Sequence, residues 1–80
     1  AEQFHQIFRA VCKGRGVPYT KEGFVHLVRN WYVKPKRSFK ACHPRDIVDQ
    51  MMDIAKYKQL KPVATPDMID RACSAYFAEL

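Results

Sequence analysis

The feature that most constrains this chain is the spacing of its apolar residues, which follows a helical period in four separate segments. In residues 2–13 apolar side chains recur at i, i+3, i+4, i+7 and i+8, as expected for one buried helix face. The four faces are Phe4, Ile7, Phe8, Val11 and Cys12; Phe24, Leu27, Val28 and Trp31; Ile47, Met51, Ile54 and Ala55; and Met68, Ile69, Ala72, Cys73, Tyr76 and Phe77. The pattern predicts an all-α domain of four amphipathic helices.

Helix boundaries are marked by residues that start or stop helices. Gly14 and Gly16 are predicted to end the first helix, and Thr20 is predicted to cap the second. Gly23 falls in the first turn of that second helix, where a glycine is unfavourable. Thr65-Pro66-Asp67 is a strong start for the fourth helix, with a cap, a proline and an acid in order.

The length of 80 residues fits one domain, spanning residues 1–80. With 48% hydrophobic residues and ten aromatic side chains, the chain can form a core of its own. It begins at Ala1 rather than Met, which suggests a processed protein or a piece of a longer one. No apolar run reaches the length of a membrane span.

The positive charge is concentrated in the middle of the chain. Residues 20–45 carry seven basic residues and one acidic residue, a net charge of +6, while the charges of the remaining residues cancel. Within this segment, residues 33–43 are predicted to form an extended loop or a short strand before the third helix, because Pro35 disfavours helix. Such a basic segment favours anionic partners.

The three cysteines are widely spaced and contain no CxxC pair. Their number and spacing argue against a disulfide framework and a zinc site, and predict a reducing, cytoplasmic environment. Cys12 and Cys73 are expected in the core. Cys42 adjoins His43, but no third group is placed to orient the pair, so a catalytic cysteine is not expected. The sequence also has no glycine-rich phosphate loop, no paired metal-binding acids and no Ser/His/Asp set.

The segment His43-Pro44-Arg45-Asp46 opens the third helix, predicted over residues 44–59. Pro44 suits the first helical position, so His43 is predicted to be the N-cap, with Asp46 in the first turn. Arg45 is then held at the positive end of a helix, where a phosphate would find both a cation and free amides. In the alternative interpretation Arg45 pairs with Asp46 or another neighbouring acid and has no further role.

With this helix placed, the chain resembles the C-terminal helical lid of AAA-type ATPases. The run KACHPRDIVDQ is similar to the lid motif of a bacterial branch of these ATPases, FHQIFRAVCKGRGV to the first lid helix, and PDMIDRACSAYF to the last. The resemblance implies that Arg45 is the lid arginine called sensor two, which contacts the ATP phosphates. It further implies that a core domain outside these residues supplies Mg²⁺ and the Walker motifs, and that lid motion couples hydrolysis to neighbouring subunits of a homo-oligomer. The segment would then be an excised C-terminal lid, with no catalytic residue of its own.

Three residues near Arg45 are candidates for supporting anion or subunit contacts: His43, Arg37 and Lys40. They are candidates because of their charge and their position near Arg45, although the lid motif assigns them no role. No metal ligand is predicted.

A nucleic-acid-binding module is the first alternative. The second and third helices could form a winged or helix-turn-helix variant, with Lys34, Lys36, Arg37, Lys40 and Arg45 contacting phosphates. Asp49 and Asp53 on the third helix weigh against it, because acids there would repel the DNA backbone.

A protein-interaction bundle is the second alternative. In that interpretation Met51, Met52 and Trp31 line a groove for an acidic partner helix. Trp31 is more simply explained as a core anchor, because it lies in register with Leu27 and Val28.

Overall fold

The computed structural model describes residues 2–78 and has four α-helices in those residues. They are α1 (Glu2–Arg15), α2 (Lys21–Val28), α3 (His43–Lys58) and α4 (Pro66–Ala78). A π-helical turn, Arg29–Val33, continues α2. The prediction of an all-α domain is confirmed. The described part of the chain has no strand, so residues 34–42 form an irregular loop rather than a short strand. This segment, residues 34–42, is called the basic loop.

The core lies between α3 and the two helices that pack on it, α1 and α4, while α2 packs mainly on α4. The buried apolar face of α3 consists of Ile47, Val48, Met51 and Ala55, and Ile54 of the predicted face is only half-buried. Phe8, Cys12 and Cys73 are fully buried, so the predicted core role of the two cysteines is confirmed. Most of the driving force for folding comes from this apolar burial.

The first helix includes Gly14 and ends at Arg15, directly before Gly16. Gly16 adopts a left-handed backbone with φ of 70°, and Val17 N–H donates to the Cys12 carbonyl at 2.9 Å, closing the helix. The prediction that Gly14 helps to end the helix is therefore wrong: it lies within the last turn of α1. Left-handed geometry at the end of a helix needs a single residue, and Gly16 provides it.

Thr20 caps α2, as predicted, and its hydroxyl also fixes the connection before α4. Thr20 Oγ1 accepts a hydrogen bond from Gly23 N–H at 3.0 Å and donates one to the Ala64 carbonyl at 2.5 Å. Gly23 is buried directly beneath that connection, and a Cβ built on it would lie 1.8 Å from the Ala64 oxygen. A glycine is required here by the close approach of the backbone.

The π-helical turn changes the direction of the side chains that follow Val28. Lys34 N–H donates to the Arg29 carbonyl at 3.1 Å, the i→i+5 bond of a π-helix. This turn lets Leu27 and Tyr32, five residues apart, both enter the core. Trp31 is only half-buried, and its indole N–H donates to Asp70 on α4 at 2.9 Å. Trp31 therefore packs at the edge of the core rather than at its centre.

Candidate functional site

The first turn of α3 buries two residues and exposes the next. His43 and Pro44 are buried, whereas 64% of the Arg45 side chain is exposed. The predicted N-cap role of His43 is wrong. Cys42 holds that position with a right-handed backbone and makes no side-chain capping bond, and His43 is the first helical residue. The reason is that the His43 ring packs in the core.

The His43 ring is held by aromatic neighbours from two other elements. Its Nδ1 is 2.8 Å from the Tyr32 hydroxyl, and its ring meets Phe77 edge-on with centroids 5.4 Å apart. Burial, together with the nearby cations of Lys40 and Arg37, lowers the pKa of His43 below its ordinary value. The ring is therefore neutral at physiological pH.

This environment predicts an acid-sensitive fold. Because the pKa of His43 is lower in the folded chain than in the unfolded chain, the unfolded state binds more protons once the pH falls below about 6.5. The contribution of His43 to the free energy of unfolding should be constant above that pH and should decrease as the pH drops toward the pKa of the folded chain. Urea titrations from pH 8 to pH 5, with NMR of the His43 ring, measure both effects. A pKa of His43 in the folded chain that equals or exceeds the pKa of an unfolded histidine would contradict the prediction.

Arg45 has no tight partner among the described residues. Its Nε lies 3.8 Å from Asp46 Oδ1, a loose contact, while Asp46 Oδ2 accepts a 2.8 Å hydrogen bond from the Tyr76 hydroxyl. Asp49, on the next turn of α3, pairs with Arg15 of α1. Asp49 and one carboxylate oxygen of Asp46 are thus engaged by other elements, and most of the Arg45 side chain is exposed to solvent.

The three supporting candidates meet around a single pocket. Arg37, Lys40 and His43 line a cavity of ≈ 280 Å³ together with Ser38 and Phe77. Arg45 is not among its lining residues. Two residues along an α-helix correspond to a rotation of about 200°, so His43 and Arg45 leave α3 on roughly opposite sides. The sequence predicted these four residues as one group, but the structure separates Arg45 from the other three.

Comparison with known proteins identifies a family. The family model described as "Domain of unknown function (DUF8689)" matches residues 1–75. The chain belongs to the DUF8689 family. No curated protein and no solved structure matches the chain. The matched segment of this DUF8689 domain contains α1, α2, α3 and most of α4, and with them the first turn of α3 and the basic loop.

The DUF8689 domain has a second polar cluster, which sequence reasoning missed. His26 Nε2 lies 2.7 Å from Asp70 Oδ1, the oxygen that also accepts the Trp31 N–H, and His26 Nδ1 lies 3.0 Å from the Asn30 amide. Burial alone would raise the pKa of Asp70, but the hydrogen bonds from Trp31 and His26 outweigh it and lower that pKa. The bond between His26 and Asp70 joins α2 to α4. Both ring nitrogens of His26 are engaged by these partners. Only the i, i+4 pair His26 and Asn30 could be recognised in the sequence.

Two of the three cysteine thiols of the DUF8689 domain are buried. Burial raises the pKa of Cys12 to about 11 and that of Cys73 to about 12, so both thiols stay protonated. Cys42 is exposed. Residues 2–78 contain no group of three or more His, Cys, Asp or Glu side chains that could hold a metal ion. Among the described helices, none is long and apolar enough to cross a membrane.

Proposed function

We propose that this domain is the nucleotide-sensing lid of an AAA-type ATPase, with Arg45 as the residue that contacts the ATP phosphates. The proposal rests on the resemblance of the segment from Lys40 to Gln50 to the lid motif, and on one structural observation. The observation is that Arg45 is displayed to solvent from a helical turn whose preceding two residues are buried.

Burial of His43 and Pro44 fixes the helical turn that carries Arg45. A residue that must reach a ligand on another domain benefits from a rigid base, because less side-chain and backbone freedom is lost on binding. His43 is held by Tyr32, and Pro44 has a fixed φ and is enclosed by the core. Each residue of the motif then has a physical role: two residues anchor the turn, Arg45 reaches outward, and Asp46 bonds to Tyr76 of α4.

The packing of the helices favours the lid over the nucleic-acid-binding module. In a helix-turn-helix the recognition helix follows a short turn and is supported by the preceding helix. Here α3 packs on α1 and α4, the loop 34–42 separates it from α2, and Asp53 lies exposed along it. The interaction bundle is not favoured either, because Met51 is fully buried and cannot line a groove.

In this proposal ATP and Mg²⁺ bind to a core domain of the parent protein, and the lid closes over the nucleotide. The Arg45 guanidinium would donate to phosphate oxygens in the fork geometry that arginine offers. Loss of a phosphate on hydrolysis would remove that contact, and the lid would move as a rigid body against the core and against neighbouring subunits of a homo-oligomer. The lid itself contributes no catalytic base.

The test is Arg45→Ala in the full-length protein. A charge-assisted hydrogen bond contributes about 1.5–3 kcal/mol, so turnover or nucleotide affinity should fall by about 10- to 100-fold. Arg45→Lys should recover only part of the loss, because a lysine keeps the charge but not the fork. Steady-state ATP hydrolysis and nucleotide titration measure the two quantities.

Arg71→Ala is the matched control. Arg71 is also an exposed helical arginine, and its Nε pairs with Asp67 one turn away on α4 at 3.0 Å. Its replacement should leave hydrolysis and affinity unchanged, and both variants should unfold at the wild-type temperature. ATP hydrolysis at the wild-type rate and affinity in Arg45→Ala, or a full-length protein without a nucleotide-binding core, would overturn the proposal.

A further inference from the structure

A small pocket with a positive lining lies between the basic loop, the start of α3 and the end of α4. Arg37 and Lys40 come from the loop, His43 from α3 and Phe77 from α4, and Ser38 adds a hydroxyl. The volume of ≈ 280 Å³ is just below the range of about 300–1,000 Å³ typical of small-molecule sites. The size and the lining of this pocket therefore favour a small ligand with a negative charge.

Arg37 is held in place before any ligand arrives. Its Nη1 donates to the Trp31 carbonyl at 2.7 Å, and its guanidinium carbon lies 3.8 Å from the centre of the Phe77 ring. These two contacts use one of the five N–H donors of the guanidinium and one of its faces, which leaves donors for an anion. An immobilised cation loses little conformational entropy when it binds, so it contributes more of its charge interaction to affinity.

His43 provides the second fixed group. Its Nδ1 is engaged by Tyr32, so Nε2 is the ring nitrogen available to the pocket that His43 lines. When the Tyr32 hydroxyl donates to Nδ1, the neutral ring carries its proton on Nε2, which can then donate to an oxyanion. Lys40, which is exposed, can move over the pocket to neutralise a second charge.

We propose that this pocket binds a single phosphate group, either free or as a small phosphate monoester, through Arg37, Ser38, Lys40 and the Nε2 of His43. The tetrahedral oxygens can accept hydrogen bonds from several directions at once, which matches donors placed on the loop and on α3. The proposal does not depend on the lid function, because Arg45 leaves α3 on the other side and does not line the pocket.

The protonation of His43 couples this site to pH. The charged and titratable groups facing its ring are Tyr32 from the π-helical turn, Arg37 and Lys40 from the loop, Asp46 from α3 and Tyr76 from α4. In the empty pocket the two cations disfavour the imidazolium and lower the pKa of His43. A bound dianion of constant charge cancels that repulsion, so its binding takes up a proton on His43 and its affinity rises as the pH falls from 8 to 6.

Calorimetric titration of inorganic phosphate into the full chain tests the site, with ionic strength held constant by sodium chloride. We expect a dissociation constant on the order of 1 mM, as for a small anion that makes few contacts. Lys40→Gln should weaken binding about 10-fold, because it removes one charge-assisted hydrogen bond. Lys34→Gln is the matched control: Lys34 is an exposed lysine of the same basic segment that does not line the pocket, and its replacement should change affinity less than twofold.

Two further titrations separate the sources of the phosphate and the pH effect. Tighter binding of phosphoserine than of inorganic phosphate assigns the pocket to monoesters, and the reverse assigns it to free phosphate. Sulfate, which keeps its charge between pH 6 and 8, should bind more tightly at pH 6. Equal losses in the Lys40 and Lys34 variants would overturn the site, as would phosphate binding no tighter than chloride. Binding of a DNA duplex that Lys40→Gln and Lys34→Gln weaken to the same extent would also overturn the site.

Discussion

Replacing Gly23 by alanine is expected to destabilise the domain by at least about 3 kcal/mol, the upper end of the cost of overpacking. The added Cβ would lie 1.8 Å from the Ala64 carbonyl oxygen and 2.8 Å from the Ala64 carbonyl carbon. These are backbone atoms, so no side-chain rotation can relieve the clash. The connection before α4 would have to move, and with it the hydrogen bonds from Thr20 Oγ1 to the Ala64 carbonyl and from Ala64 N–H to the Pro18 carbonyl. Urea unfolding followed by circular dichroism measures the loss.

Gly14→Ala provides a control with the opposite sign. Gly14 lies in the last turn of α1, and a Cβ built there meets nothing within 4 Å. Alanine has the higher helix propensity, so this variant should be more stable than wild type by up to about 1 kcal/mol. Two identical substitutions in α-helices would then differ by several kcal/mol. A Gly23→Ala domain within about 1 kcal/mol of wild type would show that the helix and the connection are farther apart than described.

The two glycines illustrate what the sequence could and could not predict about the fold. Apolar spacing gave the four helices, and the side chain of Thr20 gave a correct N-cap, because both are local properties. Gly14 and Gly23 look alike locally, as helix-weakening residues. The effect of alanine differs between the two positions because the Ala64 carbonyl lies against Gly23. Ala64 is 41 positions from Gly23 along the chain, and only the tertiary packing brings its carbonyl to the helix.

The geometry of the candidate site also depends on tertiary packing, which the sequence does not show. The sequence predicted that α3 begins in the segment His43-Pro44-Arg45-Asp46, but it placed His43 at the N-cap, a position that Cys42 holds. The true position of His43 depends on the π-helical turn, which carries Tyr32 into the core to meet the ring. A single i→i+5 turn changes the hydrophobic period too little to be read from one sequence.

Tyr32→Ala is expected to cost about 3–5 kcal/mol, the range for removal of a fully buried aromatic side chain. Tyr32 is 1% exposed and has the largest of the fully buried side chains. Its ring stacks on Phe39 with centroids 4.5 Å apart and meets Phe4 and Phe77 edge-on at 5.1 and 6.1 Å. Alanine would leave a cavity where α1, the basic loop and α4 converge. Chemical denaturation monitored by the fluorescence of Trp31, the adjacent residue, reports the change.

Tyr32→Phe separates the hydroxyl from the ring. It keeps the aromatic packing but removes the partner of His43 Nδ1, so it should cost about 1–3 kcal/mol, the penalty for a buried polar atom left unpaired. Tyr57→Phe, at a tyrosine that is 87% exposed on α3, should have no measurable effect. A Tyr32→Phe domain as stable as wild type would mean that the hydroxyl does not hold the His43 ring.

The Tyr32→Phe variant also connects the stability of the domain to the proposed lid function. Arg45 is displayed from a turn that the Tyr32–His43 bond fixes, so loosening that bond should reduce the advantage of a preorganised arginine. In the full-length protein we expect Tyr32→Phe to weaken nucleotide response by less than Arg45→Ala does, at a temperature where the variant remains folded. If Tyr32→Phe lowers stability but leaves nucleotide response unchanged, the anchor serves only the fold, and Arg45 acts without a rigid base.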